Sequence, residues 1–86
     1  VGSILFGGVR FVAYANDHLP RHLHGFYAEA EVIIDLCADH TVALANRKNA
    51  IRPSNSKKSH VKKILIVAAN NIEALIELWE DIHGKA

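Results

Sequence analysis

His22-Leu23-His24-Gly25-Phe26-Tyr27-Ala28-Glu29-Ala30-Glu31-Val32-Ile33-Ile34-Asp35-Leu36 reads as extended chain throughout. At 15 residues it is long for one strand, whose usual length is about 5–6. A break near Ala28-Glu29 makes it a hairpin of His22–Tyr27 and Ala30–Leu36. Side chains alternate across a strand, so that break decides which face each residue takes. With it, Tyr27, Ala30, Val32, Ile34 and Leu36 share the core face, and His22, His24, Phe26, Glu31, Ile33 and Asp35 share the other. Without it, His22 and His24 fall on the face of Val32 and Ile34.

Upstream, Ser3-Ile4-Leu5-Phe6, Gly7-Gly8 and Val9-Arg10-Phe11-Val12-Ala13-Tyr14 spell a hairpin. Two glycines supply the positive φ angles that a two-residue turn needs. Phe6 then pairs with Val9 and Ile4 with Phe11. Ile4, Phe6, Val9, Phe11 and Ala13 form a core face, opposite a mixed one of Ser3, Leu5, Arg10, Val12 and Tyr14. Asn16 to Arg21 is a turn, because Asn and Asp bond their own backbone and Pro20 keeps Leu19 extended.

Downstream, Ala38-Asp39-His40 is a turn, Thr41–Leu44 a short strand, and Asn46–Asn55 a loop without period. A helix starts at Ser56 as N-cap and carries Val61, Ile64, Leu65 and Ala68 at one-face spacing. Asn70-Asn71 interrupts it, with Asn70 and Glu73 spaced for a capping box. A second helix aligns Ile72, Leu75, Ile76, Trp79 and Ile82 on one stripe and ends near His83-Gly84. Each helix has one apolar face, so both pack on the sheet. The expected architecture is α+β, an antiparallel meander of four to five strands followed by a C-terminal two-helix hairpin on one sheet face.

The 86 residues, half of them hydrophobic and 22% charged, suit one folded domain spanning residues 1–86. A domain this small buries only roughly 60–65% of its unfolded surface, so a homo-oligomer that covers more is an expected arrangement. The single cysteine, Cys37, excludes an internal disulfide and a cysteine-based zinc knuckle. No basic start followed by an apolar segment occurs, and no apolar run approaches the ~20 residues of a membrane span. The default expectation is a cytoplasmic protein without membrane contact.

The loop before the long stretch, Asp17-His18-Leu19-Pro20-Arg21-His22-Leu23-His24, holds three of the six histidines. Strands around Asp17-His18-x-Pro20-x-His22-x-His24, then helices ending in a Trp-containing Leu/Ile/Glu pattern, resemble domain-of-unknown-function family 4160. That family comprises small, mostly bacterial proteins with the hallmark Asp-His-x-Pro-Pro-His-x-His. The likeness runs from Ile4 to Gly84, with Arg21 in place of the second proline and Ala28 where members often carry a turn glycine. It implies the same fold and a setting beside toxin–antitoxin-type or regulatory genes, without assigning an activity.

His22 and His24 emerge on one strand face, and His18 can fold back over them, with Asp17 or Asp35 as an oxygen ligand or orienting partner. Imidazoles with a carboxylate and an open position are donors that zinc accepts. Without metal, the same histidines suit acid–base chemistry near neutral pH. His18, His22 and His24 are therefore the catalytic candidates, and the same three with Asp17 the metal-binding ones. The alternative is a turn whose imidazoles only bond backbone groups.

Seven of the ten Lys and Arg residues lie between 47 and 63, as Arg47, Lys48, Arg52, Lys57, Lys58, Lys62 and Lys63, with no acidic residue among them. The net charge of +1 thus conceals a polarised molecule, the acidic side being Glu73, Glu77, Glu80 and Asp81. A basic run of this kind is either solvated surface or a phosphate-binding one. Three functions follow: a nucleic-acid-associated regulatory or toxin–antitoxin-like module with a nucleic acid or cognate protein as partner, a histidine-dependent hydrolase or nuclease with or without zinc, and a non-catalytic interaction domain using the mixed face of Leu5, Val12, Tyr14, Phe26 and Ile33.

Overall fold

Ala28 and Glu29 form the turn that divides the long extended stretch. In the computed structural model, which describes residues 2–84, the chain runs β1 (Gly2–Phe6), β2 (Val9–Ala13), β3 (His22–Tyr27), β4 (Ala30–Leu36), β5 (Val42–Leu44), β6 (Ile51–Arg52), α1 (Lys58–Asn70) and α2 (Ile72–His83). β3 pairs with β4 as His22 to Asp35, His24 to Ile33 and Tyr27 to Ala30, which is the broken register. Ala28 holds φ at 53°, in the left-handed region that glycine occupies more readily than any L-residue. At the β1–β2 turn two glycines meet the same demand, with φ of 55° at Gly7 and 82° at Gly8, and Phe6 faces Val9.

The sheet is antiparallel and ordered β1-β2-β3-β4-β5, with β6 also on β4. β5 covers Ile34 to Leu36 of β4, while β6 covers Glu31 and Val32 along the same edge. Between them Ile33 accepts from Ala45 N–H at 3.0 Å and donates to Ala50 O at 2.8 Å. Part of the expected 46–55 loop is therefore strand. The pairing partners lie in β4, and two residues are too few to show alternation.

Helix starts also differ from expectation. α1 is capped at Lys57 without a side-chain bond, and the Ser56 hydroxyl instead donates to Pro53 O at 2.6 Å. The Asn70–Glu73 capping box does not form. Asn71 is the junction residue, its side chain donating back to Val67 O at 2.9 Å, and Glu73 pairs with His40 across the layer. In the turn after β4, Asp39 accepts from the Thr41 hydroxyl and N–H. Chiefly the hydroxyl bond holds its carboxyl below the ordinary range.

Both helices cover one sheet face. Val9, Phe11, Ala13, Leu23, Val32, Ile34 and Leu36 meet Ile64, Ala68, Leu75 and Trp79 in the main core. The layers approach tightly over Gly25, where a Cβ would stand 2.6 Å from Ile64 Cγ2. On the opposite face none of the described helices joins the cluster about Ile33. Ile33 is covered there by Ala45 and Ala50 in a small second cluster, whereas Leu5 is 65% exposed. None of the described helices is long and apolar enough to cross a membrane.

Candidate metal centre

β2 ends at Ala13, and Asp17 N–H donates to Tyr14 O at 3.1 Å, a turn that doubles the chain back over the start of β3. Arg21 extends the β3–β4 ladder by accepting from Leu36 N–H at 2.9 Å. Its guanidinium also reaches Cys37 O at 3.4 Å. The first residues of β3 are thus tied at both backbone and side chain. His22 and His24, two apart, rise beneath the Asp17 carboxylate.

Asp17 Oδ2 lies 3.3 Å from His22 Nε2 and 3.5 Å from His24 Nε2. One ligand atom from each of the three residues lies within 4.8 Å of the others. The remaining ring nitrogens are engaged. His22 Nδ1 is 2.9 Å from Pro20 O, and His24 Nδ1 is 3.0 Å from Glu31 Oε2. A carbonyl and a carboxylate can only accept, so each Nδ1 donates its proton there, and each Nε2 is left turned toward Asp17 Oδ2. Two Nε2 atoms and a carboxylate oxygen therefore face one point. Asp17 Oδ2 is buried and makes no aligned hydrogen bond, so the short distances are not ordinary donor–acceptor contacts.

A cation held between these atoms would satisfy the unpartnered Asp17 oxygen. Ligand atoms at ~2.0–2.1 Å from a tetrahedral zinc ion stand roughly 3.3–3.4 Å apart, close to the two distances measured to Asp17. The partners on Nδ1 supply the orienting second layer that metal-bound histidines carry. Arg52 Nη2 lies 3.3 Å from Glu31 Oε2, so the chain of contacts runs Arg52–Glu31–His24–Asp17–His22.

Around this cluster stands an aromatic wall. Trp79 lies 5.7 Å from the His22 ring and stacks on His83 at 3.7 Å. His83 Nε2–H donates to Tyr14 O at 2.9 Å, and the Tyr14 ring meets His24 edge-on at 4.9 Å. His22 is 2% exposed, while Asp17 is reachable from a groove of about 590 Å³ lined also by His18, Leu19, Trp79 and His83.

Of the expected ligands the structure brings together Asp17, His22 and His24. His18 is exposed on the groove wall and stands outside the group. Its side chain precedes the proline turn, which carries the backbone away before His22. Asp35 lies opposite His22 in the sheet, with Oδ1 buried and unpartnered, and is also outside the group. The basic run divides. Lys57, Lys58, Lys62 and Lys63 belong to α1 and its cap on the helical layer, with Lys63 Nζ 5.7 Å from the Tyr27 ring. Arg47 and Lys48 sit in the exposed loop between β5 and β6, and only Arg52 joins the histidine network. Sequence reading missed Glu31 as a partner of His24. The signal was there in the hairpin register, since Glu31 lies diagonal to His24 across the strand pair, within reach of long side chains. No known family model, curated protein or solved structure matches the chain.

Proposed function

We propose that Asp17, His22 and His24 hold a divalent cation, with zinc as the first candidate, and that the centre serves metal-assisted hydrolysis. The observation that carries the reading is the convergence of two imidazole Nε2 atoms on the orphaned Asp17 Oδ2. Three protein ligands leave a fourth position for water or a substrate oxygen, the pattern of catalytic rather than structural zinc. The ion would lower the pKa of bound water and polarise an electrophilic carbonyl or phosphorus centre. His18, on the groove beside Asp17, is the candidate to pass protons to or from the substrate. The reading also accommodates the resemblance to family 4160, because Asp17, His22 and His24 all lie within the hallmark run.

Trp79, the only tryptophan, provides the test. Chelator-stripped protein is titrated with Zn(II) by calorimetry and with Cu(II) by fluorescence, the latter ion quenching an indole near His22. One equivalent bound, and lost in Asp17→Ala, His22→Ala and His24→Ala, is the expected result. Binding that persists in all three variants, or no binding at millimolar metal, sinks the proposal. His18→Ala should retain metal while losing hydrolysis.

A further inference from the structure

The face opposite the main core presents its side chains in rows set by the strand register. One row runs Leu5, Arg10, Phe26, Glu31 and Arg52 across β1, β2, β3, β4 and β6. The next carries Ser3, Val12, His24 and Ile33. His24 thus stands one row from the Arg10–Arg52 line, about 7 Å along the strands. The loop bearing Arg47 and Lys48 closes on this same face, because Ala45 and Ala50 at its two ends pack on Ile33. Arg10, Arg47 and Lys48 are exposed and make no ion pair among the described residues. Glu31, the one acidic side chain in the row, is already paired with Arg52. Half-buried Phe26 and the exposed Tyr14 and Leu5 add apolar and aromatic surface between these cations.

We infer that this open sheet face binds single-stranded nucleic acid and delivers a phosphodiester to the metal centre, whose role as proposed above the inference presupposes. Cations flanking a row of aromatic and apolar side chains match a strand's phosphates and bases. A flat sheet carries no helix or ribbon to enter a duplex groove, and single strands with unstacked bases are what such surfaces take. The lysines of α1 and its cap lie on the other layer and belong to a different surface, so the basic run of the sequence is two patches. Hydrolysis of a phosphodiester there would form one P–O bond from water and break the P–O bond to the leaving oxygen, with His18 taking a proton from water and returning one to that oxygen, giving a phosphomonoester and a free hydroxyl. A cation held by Asp17, His22 and His24 would supply positive charge to the reacting phosphate.

The experiment uses the full chain with chelator present, so that binding is read without metal. Fluorescence anisotropy follows a labelled single-stranded oligouridylate and its duplexed counterpart over a range of salt. Two triple variants remove equal charge, Arg10→Ala with Arg47→Ala and Lys48→Ala on the open face, and Lys57→Ala with Lys58→Ala and Lys62→Ala at α1. Each phosphate contact contributes roughly 0.7 to the logarithmic salt slope, so the open-face variant should lose about 2 in slope and about tenfold or more in affinity. The α1 variant should stay within about twofold of the parent. Circular dichroism establishes that both fold. Equal losses, a larger loss in the α1 variant, preference for the duplex, or no binding at low salt overturns the inference. So does a stable dimer in which the open face is occluded by a second copy. Metal titration through Trp79 is independent of every one of these outcomes, so failure of the metal reading and failure of the nucleic-acid reading are told apart. Where both hold, adding Zn(II) back should cleave the bound oligonucleotide, and Asp17→Ala should bind it without cleaving.

Discussion

Glu31 is the residue on which the candidate centre turns without being one of its ligands. It holds the His24 proton on Nδ1 and is itself held by Arg52. Loss of such an outer partner typically weakens metal affinity 10–100-fold. Glu31→Ala should fall in that range by zinc calorimetry, while Glu31→Gln, which keeps an acceptor but not the charge, should lose less. Arg52→Ala should show a smaller loss of the same kind. Ala28 makes a separate residue-scale case. A left-handed L-residue costs about 1–2 kcal/mol, and glycine's greater freedom in the unfolded chain returns roughly 0.5–1 of that. Ala28→Gly should therefore stabilise the protein by about 0.5–1 kcal/mol, seen as a rise of a few degrees in thermal midpoint. The turn forms there with alanine because the flanking strands determine the register.

At the scale of elements, α1 packs tightly on β3. Gly25 lets Ile64 approach the strand backbone directly. Gly25→Ala would force the helix outward and should cost about 1–3 kcal/mol in chemical denaturation, as overpacking of a tight core does. Because His24 and Phe26 flank Gly25 on the other face, metal affinity should weaken in parallel. Most of these elements were legible in the residues. The Gly7-Gly8 turn, the apolar stripes of both helices and the shared face of His22 and His24 follow from local period and turn chemistry, whereas the break at Ala28 was suggested only by the length of the stretch, which left the unbroken register open. β6 was not legible, because Ile51 and Arg52 pair only where β5 leaves the edge of β4 uncovered. Nor were the caps, since Ser56 and Asn71 bond backward to Pro53 and Val67 instead of forward to the helix starts. The meeting of Asp17 with the histidines depended on how a loop folds over a strand end, which spacing alone does not specify.

For the molecule as a whole, a cation bound only by the folded state must raise its stability. At a free concentration 100 times the dissociation constant the gain is about 2.7 kcal/mol, and for a domain of this size each kcal/mol moves the midpoint by about 4–8 °C. Saturating zinc should raise the midpoint by roughly 10 °C or more, with full reversal by chelator and no shift in His22→Ala. The charge pattern has a matching large-scale logic. Acidic α2 carries Glu73, Glu77 and Asp81 exposed on the helical layer, away from the open face, so an anionic strand approaching that face meets cations first.

The enclosure of the centre by Trp79 and His83 bears on how the protein is made. Asp17, His22 and His24 are synthesised before α2, whose indole and imidazole wall them in. A nascent chain that has reached only α1 owns every ligand but lacks the stacked pair that clasps Tyr14. The walled form of the candidate centre therefore exists only once α2 has docked, and a chain truncated before Trp79 would leave Asp17, His22 and His24 without that wall.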